Sequence, residues 1–127
     1  MDGSDPISTS TLLSGSVLIS DNTVLKAACF EEGTITDLVF TNTYFIGYET
    51  KLPVWSISTD PDNFFDEQIG IYEYGPNGTS GGAPYRNANF WKDWERPIHL
   101  EFFEEDGIQQ FELDCGVKIF GNWSRAR

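Results

Sequence analysis

Apolar and polar residues alternate most clearly between residues 93 and 125. Apolar side chains occupy every second position in two runs, first Ile98, Leu100 and Phe102, then Phe111, Leu113, Cys115, Val117 and Ile119. Because successive strand side chains point to opposite faces, this pattern predicts two strands with one apolar face against a core. Asp106-Gly107 lies between the runs, and this dipeptide favours a hairpin turn since glycine accepts a positive φ. On pattern alone, the polar loop at residues 121–125 is an ordinary turn rather than a nucleotide loop.

The rest of the chain also favours short strands. Residues 17–20, 23–30, 34–46, 53–59 and 69–74 are rich in β-branched and aromatic residues. Turn sequences such as Asp-Asn and Glu-Glu-Gly separate several of these runs, and no segment shows sustained helical periodicity. Several short strands with regular turns are typical of a β-sandwich. The sequence therefore predicts a mainly β fold.

Two segments between the predicted strands have a different character. Asp60 is placed to cap a single helical turn, with Pro61 at its first position. Capping is favoured over calcium binding, because Phe64 and Phe65 stand where a calcium loop has a ligand and a glycine. Residues 75–89 contain several Gly and Pro residues, and a loop of this length predicts disorder or a variable insertion.

Several motifs in the second part of the chain resemble one family. DWERP at residues 93–97, EFFEEDG at 101–107 and DCGVKIFGNWSR at 114–125 resemble the CotH (spore-coat protein H) family, and residues 52–75 resemble its opening segment. The resemblance implies that residues 52–127 are the β-rich start of an α+β kinase-like domain. When complete, such a domain uses ATP and Mg to phosphorylate secreted or coat proteins.

The resemblance also assigns expectations to particular residues. Gly121, Asn122, Ser124 and Arg125 match the family's small glycine loop, so they are expected near the nucleotide. The phosphate-binding lysine and the metal-binding carboxylates are expected after residue 127. No catalytic residue is therefore assigned within the chain, and the chain alone is expected to be inactive.

The first part of the chain resembles another module. DGSDP at residues 2–6, the run at 14–33 and TDLVFTNTYFI at 36–46 resemble the chitobiase/β-hexosaminidase C-terminal-type module, an Ig-like sandwich. In that module earlier strands precede the DGSDP turn, so residues 1–47 are expected to be its C-terminal part. The joint is expected at residues 47–51, with little core shared between the two parts.

The formal net charge of −12 disfavours two classes of partner. A strongly negative protein repels the phosphate backbone of nucleic acids and an anionic membrane surface. No run approaches the ~20 apolar residues of a membrane helix, so no membrane insertion is expected. The two resemblances imply an extracellular or cell-surface protein, with a signal peptide upstream of these residues.

Side chains able to carry chemistry give weaker indications. Cys29 and Cys115 lie in apolar runs without metal-ligand spacing, and two buried, unpaired thiols are favoured over a disulfide. His99 is the only histidine, so it is interpreted as structural or exposed, and no metal site is predicted. A solvated hairpin face, rather than a catalytic pair, is expected for several of the acidic residues Glu101, Glu104, Glu105, Asp106, Glu112 and Asp114.

An alternative function is non-catalytic binding of a polysaccharide. Tyr85, Trp91 and Trp94 offer planar surfaces that can stack on sugars, although the same residues are also common in ordinary packing. The alternative is an extracellular module that binds carbohydrate or a cell surface. The expected partner is thus either a protein substrate or a cell-surface polysaccharide.

Overall fold

The computed structural model describes residues 3–36 and 38–125. The described part is mainly β, as predicted. Its strands are β1 (Thr23–Ala27), β2 (Phe30–Glu31), β3 (Thr34–Ile35), β4 (Phe40–Tyr44), β5 (Val54–Ser58), β6 (Arg96–Phe103) and β7 (Gln109–Val117). One α-helical turn, α1 (Asp62–Phe65), and two 3₁₀ turns (Asn89–Trp91 and Trp123–Arg125) complete the secondary structure of these residues.

The chain divides into two compact units. The first contains Met1–Ser58 and His99–Leu113, and the second contains Thr59–Ile98 and Asp114–Arg127. The sequence division into residues 1–47 and 52–127 stays a prediction. The expectation that these two parts share little core is wrong, because the Phe45 and Phe103 rings pack edge to face at 5.1 Å within the first unit.

Two small antiparallel sheets form the beginning of the first unit. β1 pairs with β4 from Thr23↔Tyr44 to Ala27↔Phe40, and β2 pairs with β3. The predicted Glu-Glu-Gly turn joins β2 to β3, with positive φ values at Glu32 and Gly33. The strand predicted at residues 17–20 is wrong. These residues form no strand, and Leu18 is 92% exposed, so neither backbone pairing nor burial of Leu18 holds an extended strand there.

The third sheet has the order β5-β6-β7, and it contains the predicted hairpin. The Gly107 N–H donates to the Glu104 carbonyl at 2.9 Å, and Gly107 has a φ of 78°. The burial of the sheet agrees with the prediction only in part: Ile98 is buried on the face expected to meet a core, but other residues of that face are not. Trp55 packs on Phe102 at 4.6 Å on the face expected to meet a core, yet Trp55 is 55% exposed. The opposite face carries the buried Glu101 and Phe103, because the segment containing Thr43 and Phe45 packs there.

The second unit begins with the predicted helical turn. The Asp60 carboxylate accepts a hydrogen bond from the Asp62 N–H at 2.9 Å, as an N-terminal capping residue does. α1 starts at Asp62, one residue later than predicted. The local hydrogen bonding therefore agrees with the interpretation of Asp60 as a capping residue.

The segment after α1 corrects two predictions. Residues 69–74 form turns rather than a strand, because the Ile71 and Tyr72 N–H groups donate to the Asn63 and Phe64 carbonyls at 3.0 and 2.9 Å. Residues 75–89 form a series of turns rather than a disordered segment. The Asn89 N–H donates to the Tyr74 carbonyl at 3.2 Å across the two ends of this segment, and the buried Asn89 side chain donates to the Gly70 carbonyl at 3.2 Å.

Some predictions concern residues that the structure does not describe. Met1, Asp2, Asp37, Ala126 and Arg127 lie outside the described residues. They include the start of the predicted DGSDP turn and one position of the strand predicted at residues 34–46. Among the described residues, no helix has both the length and the apolar character needed to cross a membrane.

Candidate functional site

The loop after β7 holds the residues predicted to lie near a nucleotide. Gly121 has a φ of 127°, which side-chain-bearing residues rarely adopt. A Cβ at this position would also lie 2.4 Å from the Ser124 Oγ. The Arg125 N–H donates to the Asn122 carbonyl at 2.9 Å and so closes the 3₁₀ turn Trp123–Arg125. The four predicted residues therefore form one tight turn that requires glycine at its first position.

Arg125 connects this turn to an aromatic residue predicted for carbohydrate contact. Its Nη1 donates to the Trp91 carbonyl at 3.4 Å, and its guanidinium carbon lies 5.4 Å from the centre of the Trp91 ring. Arg86 also lies over Trp91, at 5.0 Å. Cation–π attraction of this kind holds a guanidinium against the ring. The structure thus brings Arg125 and Trp91, which the sequence assigned to different functions, into one cluster.

All three candidate carbohydrate residues make contacts within the second unit. The Trp91 indole N–H donates to the Pro84 carbonyl at 2.6 Å. Lys92 and Arg96 lie 4.2 and 4.7 Å from the Trp94 ring centre. The Tyr85 ring packs edge to face with Tyr74 at 5.2 Å. These contacts favour the packing interpretation of Tyr85, Trp91 and Trp94.

Glu101 is not on the solvated face that was predicted for several of the hairpin acids. It is 1% exposed, and its Oε1 accepts a hydrogen bond from the Thr43 N–H at 3.0 Å. Its Oε2 accepts a bond from the Thr43 hydroxyl. The remaining acids, Glu104, Glu105, Asp106, Glu112 and Asp114, are exposed, as predicted. Glu101 differs from them because the segment containing Thr43 covers its side of the sheet.

His99, Glu101 and Glu112 form a cluster that the sequence analysis missed. One ligand-type atom from each residue lies within 4.8 Å of the others, and all three residues belong to the first unit. His99 and Glu101 are two positions apart on β6 and share a face, and β7 adds Glu112 from the neighbouring strand. The available signal was His-x-Glu within a strand, followed by an acidic residue after the hairpin turn.

The structure also describes the two cysteines and the first residue of the DWERP motif. Cys29 and Cys115 are both free, as predicted, but Cys29 is exposed and Cys115 is half-buried, so the expectation of buried thiols is wrong. Asp93 lies in the DWERP motif, and its carboxylate accepts a hydrogen bond from the Lys118 ammonium at 2.9 Å. This hydrogen bond and the positive charge of Lys118 lower the pKa of Asp93.

Comparison with known proteins finds a similarity in the N-terminal part of the chain. Residues 1–44 match a family model described as Fn3 associated. No curated protein and no solved structure gives a significant match. The match covers the segment that the sequence analysis assigned to an Ig-like module and contains β1 to β4. The N-terminal part of this mainly β chain is thus similar to an Fn3-associated module.

Proposed function

We propose that residues 52–127 form the β-rich start of a CotH-like kinase domain in an extracellular or cell-surface protein, and that an Fn3-associated module precedes it. The complete domain would transfer phosphate from ATP, with Mg, to secreted or coat proteins. Residues 52–127 would contribute nucleotide-proximal residues to that domain and no catalytic residue of their own. The order of the motifs at residues 52–75, 93–97 and 114–125 supports this proposal.

The observation that carries the proposal is the turn after β7. In the family, a small glycine loop follows the strand that DCGVKIF resembles. Here Gly121 follows that strand, has a φ of 127° and leaves no room for a Cβ beside Ser124. Glycine turns of this kind allow a backbone to approach a phosphate closely. Arg125 adds a positive charge four residues later, in a protein whose net charge is −12.

The aromatic residues do not favour the carbohydrate alternative. Cations lie over the rings of Trp91 and Trp94, and Tyr85 packs against Tyr74. A sugar that stacked on the same ring faces would have to displace these contacts. The structure thus disfavours polysaccharide binding. Polysaccharide binding would replace the kinase proposal only if it were measured directly.

Phosphoryl transfer by the protein that contains these residues and the rest of the domain tests the proposal. The protein would be incubated with γ-labelled ATP, Mg²⁺ and a mixture of secreted proteins, and labelled phosphate on the Ser and Thr residues of any of these proteins would be measured. We expect incorporation in the wild type and a much lower rate in Gly121→Ala, with Gly15→Ala as a control because its Cβ would meet nothing within 4 Å. No incorporation, together with binding to cell-wall polysaccharide, would overturn the proposal.

A further inference from the structure

The side chains of His99, Glu101 and Glu112 form a donor set that suits a transition metal. Imidazole nitrogen and carboxylate oxygen are both common zinc ligands, and three protein ligands with one open position are typical of zinc sites that bind a further molecule. The three donor atoms lie within 4.8 Å of one another. Atoms bound to one tetrahedral Zn²⁺ at about 2.1 Å lie about 3.4 Å apart, so small side-chain movements would complete the site.

Burial gives an independent argument for a cation. Glu101 is 1% exposed, and it accepts hydrogen bonds from the neutral N–H and hydroxyl groups of Thr43. A buried carboxylate is stable when a positive charge or a metal ion balances it. Each Glu101 oxygen keeps a second lone pair for such a ligand. The His99 Nε2 is also shielded from solvent, so this ring nitrogen is not simply a surface group.

The partners of Glu101 are arranged as the outer layer of a metal site usually is. Thr43 holds both oxygens of the carboxylate, and the Ser56 hydroxyl lies 2.7 Å from the Thr43 hydroxyl. Hydrogen bonds of this kind orient a ligating carboxylate and reduce the movement needed on binding. The carboxylates of Glu112 and Glu101 repel each other. A divalent ion between them attracts both, and this attraction outweighs the repulsion.

We propose that His99, Glu101 and Glu112 bind one divalent first-row transition-metal ion, for which Zn²⁺ is the probe. The imidazole distinguishes this site from an all-oxygen calcium or magnesium site. The site lies on the sheet face opposite Trp55 and Phe102. Its three residues belong to one compact unit and the turn at residues 121–125 to the other, and the metal proposal does not depend on the kinase proposal.

Titration of the metal-free protein with ZnCl₂ tests the proposal. After treatment with a chelator and its removal, isothermal titration calorimetry should show one Zn²⁺ per chain. Glu112→Gln and His99→Gln should each weaken binding by at least about 10-fold, because each removes one ligand. Glu105→Gln is the matched control, since Glu105 is an exposed hairpin acid outside the cluster. It should bind Zn²⁺ like the wild type.

Two further measurements distinguish this site from zinc binding at a cysteine thiol. Co²⁺ should give visible absorption bands in the wild type that shift or disappear in His99→Gln. Cys29→Ser should leave the affinity unchanged, although the exposed thiol is itself a possible zinc ligand. Circular dichroism of metal-free Glu112→Gln checks that this exposed substitution leaves the fold intact. Absence of stoichiometric binding, equal affinity of Glu112→Gln and wild type, or loss of binding in Cys29→Ser alone would each overturn the proposal.

Discussion

Thr43 binds both carboxylate oxygens of Glu101, although the two residues are 58 positions apart. The backbone N–H of Thr43 donates to Oε1 at 3.0 Å, and its hydroxyl donates to Oε2. The Ser56 hydroxyl, 2.7 Å from the Thr43 hydroxyl, extends the network to β5. The segment that matches an Fn3-associated module is therefore joined, within the first compact unit, to the β5-β6-β7 sheet through a buried charged group.

Replacing Glu101 with Ala should destabilise the protein by about 2–3 kcal/mol. The substitution removes hydrogen bonds to a carboxylate. It also leaves the Thr43 N–H without the Glu101 oxygen that accepts its hydrogen bond. Urea unfolding in the presence of a chelator measures the free energy. Glu105→Ala removes an exposed acid from the same hairpin and should change stability by less than about 0.5 kcal/mol. Equal stability of the two variants would show that the network contributes nothing.

Replacing Gly121 with Ala should cost about 1–3 kcal/mol, because a φ of 127° is unfavourable for alanine. The new Cβ also meets the Ser124 Oγ. Adding Ser124→Ala should relieve the steric contact and recover only part of the loss, since the backbone strain remains. Thermal unfolding monitored by tryptophan fluorescence measures both effects. Full recovery in the double variant would show that crowding alone, and not φ, makes glycine necessary.

The Asp93–Lys118 pair should make stability depend on acid pH. The hydrogen bond and the charge of Lys118 lower the folded-state pKa of Asp93 below its ordinary value of 3.8. A depressed carboxyl pKa contributes stability above the unfolded-state pKa, and this contribution is lost as the pH falls through the folded-state pKa. The contribution is small because both groups are exposed.

Carboxyl-carbon NMR measures this pKa directly. In the wild type the Asp93 resonance should titrate below pH 3.8, and in Lys118→Met it should move back towards that value. High salt should have the same effect in the wild type, because ions screen an exposed pair. An Asp93 midpoint that is identical in the two proteins would contradict the assignment of Lys118 as the cause.

The chain of 127 residues alone should not bind Mg-ATP measurably. Its net charge of −12 opposes a polyanion, and Arg125 is held at Trp91 by a hydrogen bond and a ring contact. Phosphoryl transfer also depends on a preorganised lysine and metal carboxylates, which the CotH resemblance does not place within these residues. Calorimetric titration should therefore show no heat of binding. Sub-millimolar affinity abolished by Arg125→Ala would mean that residues 121–125 are a complete phosphate site.

Local features of the chain could be predicted from the sequence because interactions between neighbouring residues determine them. The Asp106-Gly107 turn, the Glu32-Gly33 turn and the capping by Asp60 depend on the φ preferences or hydrogen bonds of adjacent residues. The alternation of apolar residues likewise identified β6 and β7. The mainly β class follows from these local preferences together.

Tertiary packing decided which sheet face is buried and which side chains meet. Alternation shows that a strand has two faces, but the partner that covers one of them comes from a distant segment. The arrival of Thr43 and Phe45 on the side of Glu101 and Phe103 buries that face, while Trp55 stays largely exposed. The approach of Glu112 to His99 and Glu101 depends in the same way on the pairing of two strands. The sequence therefore offered only the His-x-Glu pattern and a later acid, and the strand pairing was needed to show that the three side chains meet.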